Sequence, residues 1–159
     1  MQVFDASAIV YAWDNYPLAQ FPSMWRWIAD KLIDHTITMP NVALSEVGHV
    51  APECARWLED NKIGTFAMSD AILQDAVRIK NLLGIIGDQY GGGVDENDLM
   101  IIATARAAQA RLISNEAAQP GRPKSMANYK IPAVCALPEV RVNCIAFVEF
   151  IKQSKVVFG

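Results

Sequence analysis

Val3-Phe4-Asp5-Ala6-Ser7-Ala8-Ile9-Val10 sets the reading of the whole chain. A very short apolar run, a carboxylate and then small residues describe a buried strand that ends in an acid. The strand turns directly into a helix from Ser7 to about Trp13, with Ala6 or Ser7 near its cap. The seam recurs further along. Ile37-Thr38-Met39 is β-branched and brief, and Pro40 opens a helix from about Asn41 to Val50 that carries Glu46. Asp98 opens the apolar run Leu99-Met100-Ile101-Ile102, and Leu112-Ile113-Ser114 reads as a strand followed by Asn115 and Glu116. Strands alternating with helices predict an α/β fold of three layers, a mostly parallel central sheet between helical layers.

Between the seams, Met24, Trp27, Ile28, Leu32 and Ile33 stand at helical spacing in a segment from Ser23 to His35. A further helix is expected from Pro52 to about Asn61, and 63–68 is a linker or a short strand. Ser69-Asp70 starts a helix that runs to Leu83. The five glycines of 84–93 predict a mobile loop. Asn97 or Asp98 is expected to cap a helix reaching about Gln109, and 119–130 is expected to be an exposed loop. A short helix through Pro132, a last strand over 140–145 and a terminal helix over 146–153 complete the expected order.

With 159 residues, 52% of them hydrophobic, the chain can bury one full core and is short for two, so a single domain over 1–159 is expected. The start Met1-Gln2-Val3-Phe4-Asp5 has neither a basic n-region nor a long apolar h-region, and no uninterrupted apolar span occurs, so neither a signal peptide nor a membrane segment is expected. Cys54, Cys135 and Cys144 are odd in number and form no C-x-x-C pair, which fits a reducing, cytoplasmic setting. The net charge of −3 is unevenly spread. Residues 106–130 hold Arg106, Arg111, Arg122, Lys124 and Lys130 against Glu116 alone, a net of +4, whereas Asp88 to Asp98 holds four acids and no base. An acidic pocket beside a basic strip suits a metal-dependent nuclease; ordinary solvated surface is the alternative.

Asp5, Glu46, Asp98 and Glu116 are the candidate chemical groups. Carboxylates gathered from distant segments to strand ends repel one another, and a divalent cation offsets that repulsion. Each also has a plain structural alternative: Asp5 and Asp98 as helix caps, Glu46 as a solvated helix face, Glu116 as a loop acid. Asp95 and Glu96 crowd the turn at Asp98, which favours a bound cation. Other chemistry is set aside. His35 and His49 lack metal-ligand spacing, Gly91-Gly92-Gly93 lacks a phosphate-loop pattern, and no G-x-S-x-G elbow occurs. Trp13, Trp25, Trp27 and Trp57 sit at helical spacings that suit core or interface anchors.

Taken together these segments resemble the PIN-domain family over essentially the whole chain. Val3 to Val10 looks like that family's first strand and aspartate, Asn41 to Val47 like the helix bearing its glutamate, and Asn97-Asp98-Leu99-Met100-Ile101-Ile102-Ala103-Thr104-Ala105 like its D-x-x-I-x-A-T-A helix. Leu112 to Glu116 matches the strand and turn where the family usually has a last aspartate; here Glu116 stands instead, a methylene longer. Trp13-Asp14-Asn15-Tyr16-Pro17 and Lys130 to Cys135 look like an outlying branch, to which the substrate rules of VapC-like toxins need not extend.

The resemblance implies an endoribonuclease dependent on Mg²⁺ or Mn²⁺ that hydrolyses RNA to 5′-phosphate and 3′-hydroxyl ends. It also implies a toxin silenced by a small antitoxin, and a homodimer. On this reading Asp5, Glu46, Asp98 and Glu116 are the catalytic, metal-holding set. Asp95, Asn115 and Ser7 form the outer shell, and Arg106, Arg111, Arg122 and Lys124 contact the RNA backbone, although Arg106 could instead pair across its helix. A catalytically silent fold that binds RNA or protein, and an enzyme acting on branched DNA, are the alternatives.

Overall fold

The computed structural model describes residues 1–159. Three apolar stretches form the middle of the sheet: β1 (Gln2–Phe4), β2 (Ile37–Pro40) and β4 (Arg111–Ile113). β3 (Gly64–Phe66) and β5 (Cys144–Ile145) form the edges, giving the order β3-β2-β1-β4-β5. All four pairings are parallel, with Val3 opposite both Thr38 and Leu112 and Ile113 opposite Ile145. The stretch 63–68 therefore contains a strand. The last strand is only two residues long, shorter than its alternating sequence suggests. Val140 and Val142 are buried, but Arg141 between them has φ 52, a left-handed conformation that breaks an extended run.

Helices cover both faces of the sheet: α1 (Ala6–Asn15), α2 (Pro22–Ile33), α3 (Asn41–Val50), α4 (Pro52–Asp60), α5 (Asp70–Leu82), α6 (Glu96–Ala107), α7 (Ile131–Cys135) and α8 (Phe147–Ser154). The three-layer α/β/α architecture is the one expected. Pro40 ends β2 and caps α3, where its missing N–H costs nothing. Ser69 caps α5 by accepting from the Ile72 N–H at 3.2 Å.

The core is one cluster of 37 buried residues. On one side Phe4 meets Phe150 edge-on at 5.3 Å between ring centroids, which fixes α8 against β1. Elsewhere Trp25 packs edge-on to Trp13 at 5.4 Å and to Trp57 at 4.9 Å, and its indole N–H donates to the Tyr16 carbonyl at 2.7 Å. The tryptophans are thus core anchors that lock α1, α2 and α4 together.

The glycine loop serves close packing at its far end. A Cβ on Gly93 would come within 2.2 Å of the Tyr129 carbonyl oxygen, and one on Gly91 within 2.8 Å of that of Ala127. The backbone of 91–94 lies directly on the 3₁₀ turn Met126–Asn128, tied by Gly92 N–H to Asn128 Oδ1 at 2.8 Å and Val94 N–H to Tyr129 O at 2.9 Å. These two glycines supply room for backbone contact, where the composition suggests a mobile segment.

Candidate functional site

β1 lies between β2 and β4, so the chain leaves it toward one side and later returns on the other. Such a reversal opens a crevice at the carboxyl ends of the two diverging strands, the usual ligand position in open parallel sheets. Asp5 follows β1 and Ser114 follows β4, and their strands are in register through Phe4 and Ile113. The two residues therefore arrive side by side at that crevice.

Asp5 is 3% exposed. It occupies the N-cap position of α1, yet its side chain makes no capping bond. Its Oδ2 instead accepts from the hydroxyl of Ser7 and, at 3.0 Å, from that of Ser114. The backbone N–H of Asn115 donates to Ser7 Oγ at 2.8 Å and that of Glu116 to Ser114 Oγ at 3.3 Å, so both hydroxyls are fixed in turn. Burial pushes the Asp5 carboxyl above its ordinary range, and the Ser7 and Ser114 hydrogen bonds pull the other way.

Glu46, in the second turn of α3, accepts from Asn97 Nδ2 at 3.0 Å. Burial raises its pKa; Asn97 opposes this, and repulsion from Asp5, Asp95 and Glu116 adds to it. Asp98 closes a capping box with Asp95. Asp95 is the N-cap of α6, its carboxylate accepts from the Asp98 N–H at 2.9 Å, and Asp98 Oδ2 accepts from the Asp95 N–H at 2.9 Å. The cap is thus Asp95, two residues before Asn97 and three before Asp98, because Asp95 can exchange bonds with an acid three residues on. Burial drives the Asp98 carboxyl from 3.8 up to about 8; the Asp95 backbone bond opposes the rise, and Asp95, Glu116 and Asp5 add to it. Glu116 is half-buried and accepts from the Ile131 N–H at 3.4 Å. Burial raises it too, as do Asp5 and Asp95, while Lys130 lowers it.

Four acids from four separate segments therefore share one electric field at the crevice. Each commits one oxygen to a donor of the protein. As they stand, no three Asp, Glu, His or Cys side chains converge on a common ion position. In chemistry the set suits Mg²⁺ or Mn²⁺, since all its donors are hard carboxylate oxygens.

The remaining candidates divide. Ser7 is part of the Asp5 network. Asp95 is an exposed cap beside the cluster. Asn115 Oδ1 accepts from the Phe147 N–H at 2.8 Å and holds the start of α8. The basic stretch is not one strip. Arg122 and Lys124 lie exposed in the loop that leaves the carboxyl end of β4, with Arg122 5.9 Å from the Tyr129 ring. Arg106 and Arg111 stand at the opposite, amino edge of the sheet. Arg106 pairs with Asp75 of α5 through Nε at 2.7 Å, so its partner is on a neighbouring helix, and it also donates to the Val140 carbonyl. Arg111 Nε donates to Gln2 Oε1 at 2.7 Å. The fold does not bring these two arginines to the acids. Ser114 and Asn97 are the residues that sequence reasoning passed over. A hydroxyl right after an apolar strand, at the same edge as Asp5, was the available signal for Ser114; nothing local announces the Asn97 contact to a residue 51 positions away.

With this geometry, two solved structures have the same fold. The structure of PAE2754 from Pyrobaculum aerophilum matches with a TM-score of 0.55 at 12% identity, covering 96% of this chain and 94% of that one. VapBC2 from Rickettsia felis, solved bound to a DNA fragment from its promoter, matches with a TM-score of 0.52 at 18% identity, covering 81% and 96%. The architecture is thus that of a PIN-like fold. No curated protein matches the sequence. The chain belongs to the family described as a domain of unknown function, DUF4411, which matches residues 2–158.

Proposed function

We propose that the chain is an endoribonuclease dependent on Mg²⁺ or Mn²⁺, with Asp5, Glu46 and Asp98 as cation ligands and Glu116 completing the set through water. The observation that carries this reading is the gathering of four raised-pKa carboxylates at the switch-point crevice of the sheet. A divalent cation bound there would supply the charge that activates water and stabilises the transition state of phosphodiester hydrolysis. The protein's own part is positioning. Ser7 and Ser114 orient Asp5, Asn97 orients Glu46, and the capping box sets the rotamer of Asp98. Arg122 and Lys124, on the loop at the same edge, are the groups suited to hold the RNA backbone.

The likeness to VapBC2 supports a toxin restrained by a small antitoxin. Leu73 and Val77, exposed on α5, support burial of this face in a homodimer. Asp98→Asn tests the nuclease reading cleanly, because an amide oxygen can still accept from the Asp95 N–H and preserve the cap. RNA cleavage in Mn²⁺ should fall by at least about 100-fold, beyond the loss typical of an outer-shell partner. Unchanged cleavage in Asp98→Asn and in Asp5→Asn sinks the assignment. The commitment of Asp98 to a capping box favours one second reading, a silent binding module, for which wild type cleaves no RNA.

A further inference from the structure

The largest cleft in the molecule is at the other edge of the sheet from the acids. It measures about 520 Å³ and is lined by Arg106, Gln109, Arg111, Arg141 and Asn143 over a floor that includes Val140. No Asp or Glu lines it. Two of the guanidinium groups are held in place by the protein. Arg106 is fixed by Asp75 and the Val140 carbonyl, and Arg111 by Gln2 and Gln153. A guanidinium has five N–H donors, so each keeps donors to spare. Arg141, exposed and left-handed at φ 52, lines the cleft and makes no side-chain hydrogen bond or ion pair. Asp75, shared between Arg106 and Arg78, is the one acid paired with a guanidinium of the cleft, and Arg111 and Arg141 have no acid partner. Forked donors from three arginines lining one cleft that no acid lines suit phosphate oxygens. The lining has no aromatic ring on which a base could stack. The volume falls within the usual range for small-ligand sites, about 300–1,000 Å³.

We propose that this amino-edge cleft binds a small molecule through a terminal, dianionic phosphate group, recognised by Arg106, Arg111 and Arg141. The site is separate from the acidic crevice and does not depend on nuclease activity. Calorimetric titration of the full chain without metal, using inorganic pyrophosphate, AMP and adenosine, tests it. Pyrophosphate and AMP should bind and adenosine should not, and Arg141→Ala, which removes an exposed and unpartnered side chain, should weaken both by about tenfold. No heat with either anion, or equal affinity in Arg141→Ala, overturns the proposal. An oligoribonucleotide without terminal phosphates that binds as tightly as pyrophosphate, in an Arg141-dependent way, overturns the small-ligand assignment in favour of a nucleic-acid strand.

Discussion

The two edges of one sheet handle charge in opposite ways. At the carboxyl edge, Asp5, Glu46, Asp98 and Glu116 are near enough to repel one another, and each is held by hydroxyls, an amide or backbone N–H groups and by no cationic side chain. At the amino edge, Arg106 is ion-paired to Asp75, Arg111 is bonded to neutral glutamines, and only Arg141 has no side-chain partner. Pairing opposite charges contributes to stability, whereas crowding like charges costs it. A cation bound as proposed at the carboxyl edge would offset that cost.

The sharpest way to break the contrast is to remove one charge at each edge. Glu46→Gln keeps an acceptor for Asn97 and should reduce cleavage by at least about tenfold with little change in melting, since it takes away a proposed ligand and not a fold contact. Asp75→Asn should do the reverse, lowering stability by about 0.5–1 kcal/mol and leaving cleavage unchanged. Melting curves and cleavage assays on the same two preparations decide it. If Asp75→Asn proves the more damaging to cleavage, the edges are not functionally distinct.

Gly93→Ala probes how the crevice is built. Its Cβ would collide with the Tyr129 carbonyl oxygen and push the 3₁₀ turn from the start of α6, with an expected loss of about 1–3 kcal/mol. Gly121→Ala, with nothing within 4 Å of the new Cβ, is the control and should melt like wild type. Equal melting of the two variants would contradict the packing role of Gly93.

The pH dependence is smaller and has a definite sign. Asp98 titrates near 8 in the fold against an ordinary 3.8, so its contribution to stability is complete below the lower value and is lost as pH rises through the upper one. Asp5, Glu46 and Glu116 shift in the same direction. In metal-free buffer Asp98→Asn should therefore gain on wild type as pH rises from about 5 to about 8, by ~2–4 °C for each kcal/mol. Thermal melts across that range check this, and an advantage that is flat with pH would mean that Asp98 is not raised.

How much of this the sequence disclosed follows from range. β1, β2 and β4 were legible because each is a brief apolar run ending in a polar seam. The acids were legible because they sit on those seams or on the helices that follow. Local chemistry also sufficed for Ser69 as a cap and for Pro40 at the mouth of α3. What stayed hidden depends on partners far along the chain. Asn97 reads as a cap until Glu46 is beside it, and Arg106 reads as RNA-facing until α5 brings Asp75. Gly91 and Gly93 read as freedom until residues 127–129 lie against them. The shortened β5 was hidden for another reason, since alternating Val140 and Val142 suit a strand until Arg141 turns left-handed.

The most direct measurement is a calorimetric titration of Mn²⁺ into wild type and Asp98→Asn at pH 7, repeated in two buffers of different ionisation enthalpy. Wild type should bind with release of protons, because the raised carboxyls must ionise to become ligands, and Asp98→Asn should bind at least about tenfold more weakly with fewer protons released. Identical affinity and identical proton release in the two proteins would show that the acids of the carboxyl edge do not act together on a cation.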